Sequence, residues 1–68
     1  MLKQIMVNAA RKHAEAEIEL HKANIEVYMQ QVVGIGEHSD IIETIQKELD
    51  KMATASDRLE MLDKHFGV

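Results

Sequence analysis

Cysteine, proline and tryptophan are missing from these 68 residues, and aromatic rings of the benzene type are confined to Tyr28 and Phe66. Without cysteine there is no disulfide, no thiolate-held zinc and no sulfur nucleophile. That absence agrees with a reducing compartment. So few aromatics leave no stacking platform for single-stranded nucleic acid, and a formal charge of −4 sets the chain apart from the basic proteins that grip phosphate backbones. No apolar run approaches the roughly 20 residues of a membrane span. The opening Met1-Leu2-Lys3-Gln4-Ile5-Met6 turns charged without forming a secretory signal. A soluble, cytoplasmic protein is expected, one domain at most, with neither nucleic acid nor membrane among its partners.

With no proline, and with glycine only at positions 34, 36 and 67, long helices meet a single interruption. Residues 2 to 32 carry two apolar stripes whose steps alternate four and three. One runs Leu2, Met6, Ala9, His13, Ala16, Leu20, Ala23, Val27. The other, about a third of a turn away, runs Ala14, Ile18, His21, Ile25, Tyr28, Val32. A polar arc of Gln4, Asn8, Arg11, Lys12, Glu15, Glu19, Lys22 and Glu26 lies between them. A helix apolar over so much of its girth is covered on two sides. Gly34 and Gly36 bracket the break, and glycine just past a helix end suits the last turn. The first helix is therefore expected over about 2–33 and a loop over 34–39. A second helix, over about 40–65, is opened by Ser39 or Asp40, and Asp40 with Glu43 has capping-box spacing. Its single stripe is Ile42, Ile45, Leu49, Met52, Ser56, Leu59, with Ile41, Leu62 and Phe66 adjoining.

These unequal helices predict an all-α, antiparallel two-helix hairpin. Chains this small bury only about 60% of their unfolded surface and usually need a staple or a partner. Helix 2 covers one side of helix 1, and pairing two hairpins through the other side yields a four-helix bundle. The expected assembly residues are Leu2, Met6, Ala9, Ala16, Leu20 and Val27 together with Ile18, Ile25 and Val32. Residues 9, 16 and 23, seven apart, offer a seam of small side chains. Which stripe meets helix 2 is not settled by spacing.

Chemistry is thinly represented. His13, Glu17 and His21 are four apart and could converge on a divalent metal, but the Glu-x-x-His spacing of di-metal bundles does not occur. The alternative places both histidines at stripe edges, their polar tips on a carboxylate or water, and no cofactor is expected. Glu37-His38-Ser39-Asp40 sets an acid, a base and a hydroxyl in a row, yet four consecutive residues at a helix start supply neither convergence nor an oxyanion site. Caps explain Ser39 and Asp40 better, and Ile35, Glu37 and His38 are left as a partner-binding loop. Five methionines, at 1, 6, 29, 52 and 61, are read as gap-filling core residues, with a pliable face near Met29 and Tyr28 as the alternative.

The stretch Val33-Gly34-Ile35-Gly36-Glu37-His38-Ser39-Asp40-Ile41, with Ile45, Lys47-Glu48-Leu49-Asp50 and the run from Asp57 to Phe66, resembles small helical proteins of myovirus-type tailed cyanophages. The Ala10-Arg11-Lys12-His13-Ala14-Glu15 segment is similar too, so the likeness spans most of the chain. Where that family places a proline after the Glu-His of the loop, this chain has Ser39; either residue can begin a helix. The resemblance implies a bacteriophage context, an infected host cell as location, and no catalytic residue. The combined expectation is a non-enzymatic accessory protein, a homodimer that binds a host or phage protein. A minor virion or assembly component and a metal-binding bundle are the alternatives.

Overall fold

The computed structural model describes residues 1–31 and 39–67. Among them are two α-helices, α1 (Leu2–Gln31) and α2 (Ser39–Phe66), packed against each other as a hairpin. Expected and observed ends agree within a residue wherever both are described. The expected last turn of α1, with Val32, Val33 and the Gly34 stop, lies outside the described residues. Ser39 is already helical, so Asp40 sits inside the first turn of α2 rather than ahead of it. Its carboxylate meets the positive end of the helix there, and Lys64 and His65 meet the negative end. Beyond Phe66, a Cβ at Gly67 would stand 2.5 Å from the Asp63 carbonyl oxygen, closer than a side chain tolerates. α1 has no acid in its first turn and no base in its last, so its helicity leans on packing rather than on its ends.

The seam between the helices is a four-three repeat on both. On α1 it comprises Val7, Arg11, Ala14, Ile18, His21, Ile25 and Tyr28, each buried or half-buried. On α2 it comprises Ile41, Ile45, Glu48, Met52, Ala55, Leu59 and Leu62. This is the alternation that keeps one stripe of a helix facing its neighbour. Ala55 is fully covered and Ala14 nearly so, at 3% exposed, and the helices close up where the chain offers only methyl groups. The small residues Ala9, Ala16 and Ala23 lie outside this seam, exposed.

Of the two stripes of α1, the one running from Ala14 to Tyr28 is thus the one that meets α2. The register of α2 is rotated from expectation: Ile42 and Leu49 are 55% and 43% exposed, and Ser56 is exposed beside them. The seam runs one residue earlier, through Ile41, Glu48 and Ala55. A count of apolar residues favours Leu49 over Glu48, but Glu48 has a polar partner across the seam and Ala55 allows close approach.

The molecule is a rod of 54 × 15 × 11 Å with a radius of gyration of 15.7 Å, against about 11 Å for a compact domain of this length. Its accessible surface is 5257 Å², whereas a globular chain of 7.7 kDa would show roughly 4,300 Å². The excess, roughly 900 Å² by that scaling, is close to what one partner loses in a standard protein interface.

Candidate functional site

The polar feature of the seam is a histidine–carboxylate pair. His21 and Glu48 have side chains only 11% and 12% exposed, with His21 Nδ1 donating to Glu48 Oε2 at 2.5 Å. Asn24 Nδ2 donates to the same oxygen at 3.4 Å. The His21 hydrogen bond, followed by the Asn24 bond and the positive charges of His21 and Lys51, holds the Glu48 carboxyl below its ordinary value against the opposing effect of burial. The pair is closed in by both helices. Sliding or rotating either helix would strand a buried carboxylate, which costs far more than a lost surface contact. Its chemistry is therefore that of a pin that sets register.

Outside the seam, His13 Nδ1 lies 2.8 Å from Glu17 Oε1, and Arg58 Nη1 approaches that oxygen to 3.6 Å from α2. Arg11 pairs with Asp63 across the helices. The candidate metal set is thereby divided. His21 turns into the seam toward Glu48, Glu17 faces a guanidinium, and His13 is left 74% exposed. Spacing by four drifts around a helix of 3.6 residues per turn, and over the eight residues from His13 to His21 the drift carries one imidazole outward and the other inward. Among the described residues, no group of three or more histidine, aspartate or glutamate side chains is placed to hold a metal ion.

The expected assembly residues separate just as cleanly. Ile25 is buried and Ile18 half-buried against α2, so the hairpin itself consumes them. Leu2, Met6, Leu20 and Val27 are 70%, 63%, 55% and 53% exposed, with Ala9, Ala16 and Ala23 exposed between them. This outward side of α1 is an apolar strip about 38 Å long at the helical rise, turned away from α2. Isolated exposed leucines are ordinary on a protein surface; here four large apolar side chains share one side of α1, with His13 exposed midway along it. Beside it, an open groove of about 550 Å³ is lined by Ala10, His13, Met61, Leu62 and Phe66 among others. Ala10 stands between the seam and the outward strip and His13 belongs to the strip, so the groove is the corner where the two sides of α1 meet. It collects Met61, 37% exposed, and Phe66, 53% exposed, which linear spacing assigns to the core. Sequence spacing misses this corner because its walls come from both helices.

Val32 of the assembly set, and the expected partner loop Ile35, Glu37 and His38, lie outside the described residues. Among the described residues no helix is long and apolar enough to cross a membrane. No family model, curated protein or solved structure matches the chain.

Proposed function

We propose that this chain works without catalysis, as a small phage-type accessory protein that pairs with a second copy and acts by binding a host or phage protein. The observation that carries the reading is the outward side of α1, where Leu2, Met6, Leu20 and Val27 remain more than half exposed. Two hairpins joined through that side would form four helices around a shared core and would remove surface of the order by which the protomer exceeds a globular chain. The phage context rests on the resemblance of segments between residues 33 and 66, and of residues 10 to 15, described above, and the non-enzymatic reading on the closure of the His21–Glu48 pair. Sedimentation equilibrium between micromolar and millimolar protein tests the pairing, with a mass of two chains expected; a single-chain mass throughout overturns it. Affinity capture from infected host cells then tests the partner, comparing the unchanged chain with Leu20→Glu. Capture of the same protein by both would place that partner's site away from α1's outward side.

A further inference from the structure

We infer that the two copies of α1 run antiparallel, with Leu20 of one chain against Ala9 of the other and Met6 against Ala23. The inference rests on the pairing proposed above and adds its direction and register. The outward strip alternates in size. The positions Met6, His13, Leu20 and Val27 carry large side chains, while the intervening positions Ala9, Ala16 and Ala23 carry methyl groups. All of these positions are exposed in the protomer, so the strip is free to be covered.

Two like-directed helices in register place each position opposite itself. Layers would then alternate large against large and methyl against methyl. Helix axes that pack at one steady distance of about 8–10 Å cannot satisfy both, and voids would open beside every alanine. Reversing one helix sets Leu20, Met6 and His13 each opposite an alanine, giving Leu20–Ala9, Met6–Ala23 and His13–Ala16 layers of nearly even volume, and leaves large against large only in the end layers, where Val27 meets Leu2. It also avoids stacking His13 on its own copy.

Charge agrees with the reversed arrangement. Of the α1 charges not paired with α2, Lys3 and Lys12 lie in the first twelve residues, and Glu15, Glu19 and Glu26 lie in residues 13–26 against Lys22 alone; Arg11 and Glu17 are paired with Asp63 and Arg58. Antiparallel pairing lays the basic end of each α1 along the acidic stretch of the other, and by symmetry Lys12 of each chain falls near Glu19 of the other. Parallel pairing stacks basic end on basic end. The two helix dipoles also oppose each other favourably when the helices run in opposite directions.

The chain's lack of cysteine permits a clean crosslinking test. Ala9→Cys and Leu20→Cys are made on separate full-length chains, one carrying a mass tag, and oxidised alone and as an equimolar mixture; Met6→Cys with Ala23→Cys is a second, independent pair. A disulfide requires Cα atoms within about 7 Å. In the antiparallel register the thiol introduced at position 9 lies about 11 residues, roughly 16 Å, from its own copy and directly opposite the thiol introduced at position 20. The expected result is a tagged–untagged crosslink in the mixtures and little or none from any single variant. Crosslinking of Ala9→Cys or Ala23→Cys alone, with none gained on mixing, overturns the direction while leaving the pairing intact. Absence of crosslinks in both mixtures from a protein of two-chain mass overturns the register. A single-chain mass overturns both the inference and the pairing beneath it.

Discussion

Leu20→Glu and Ile25→Glu change similar residues five positions apart on one helix, yet they are expected to fail in different ways. Leu20 is 55% exposed in the hairpin. Burying a whole leucine side chain stabilises by about 1.5–3 kcal/mol, so about half of that, about 0.75–1.5 kcal/mol, is still to be gained on covering Leu20. A symmetric pair counts it twice. Leu20→Ala would then weaken pairing by about 1.5–3 kcal/mol, roughly 10- to 150-fold in dissociation constant, and a glutamate adds the cost of desolvating a charge. Ile25 is 7% exposed and faces α2. Truncating a residue so covered costs about 2–5 kcal/mol, and a carboxylate there has no partner within the seam. Sedimentation equilibrium and far-ultraviolet circular dichroism at one concentration separate the two. Leu20→Glu should fall to single-chain mass and keep more helix than Ile25→Glu, which should lose most of its helical signal. Lys22→Glu, exposed on the polar arc of α1, should change stability by no more than about 0.5 kcal/mol. A Leu20→Glu protein with the same mass as the unchanged chain would refute the reasoning.

Ala55→Leu inserts three carbons at a fully covered position and should destabilise by about 1–3 kcal/mol in urea titration; a neutral result would mean the helices are not close there. Glu48, its carboxyl held down mainly by the His21 hydrogen bond, contributes stability that is fully present above its ordinary value of 4.5 and lost as pH falls through the lower folded value. Urea midpoints of the unchanged chain and of Glu48→Gln, taken from pH 7 to pH 3, should therefore differ most above pH 4.5 and converge below it, and a constant difference would contradict the pair. Arg11→Ala, Asp63→Ala and the double variant should give a coupling below about 1 kcal/mol that shrinks further in high salt, because Asp63 is exposed and Arg11 is only half-buried.

The two helices, their described ends and their packing as a hairpin were legible because period and glycine placement are properties of the chain alone. The double stripe of α1 was legible for the same reason, and so was the presence of more apolar surface than one helix covers. What remained hidden depends on relations between helices. Glu48 reads as a surface residue until His21 is seen opposite it. Ala55 reads as filler until its complete burial shows where the helices close. Met61 and Phe66 read as core residues until they are found lining an open groove. His13, Glu17 and His21 look convergent on a projection that ignores drift, and the structure keeps His13 beside Glu17 but turns His21 into the seam toward Glu48. For Glu48 and Ala55 the missing information was a partial rotation of α2 about its axis, which keeps Ile45, Met52 and Leu59 in the seam and exchanges Leu49 and Ser56 for Glu48 and Ala55, and which a hydrophobic count resolves poorly when a seam contains a carboxylate.

α1 and α2 also play unequal parts. α2 carries Asp40 in its first turn and Lys64 and His65 in its last, so its ends suit its dipole and one covered side suffices. α1 has neither kind of charge at its ends, yet it is the longer helix, at 30 residues against 28. A helix of that kind depends on side-chain burial for its stability. The hairpin seam supplies burial on one side only, and supplies it sparingly, since the most completely covered positions, Ala55 and Ala14, are small. Covering the opposite side with a second α1 would place each such helix at the centre of the assembly and each α2 at its rim. Folding and pairing would then draw on the same helix, and stability would rise with protein concentration by mass action. On the proposed pairing, the exposed strip would supply the second half of the core around α1.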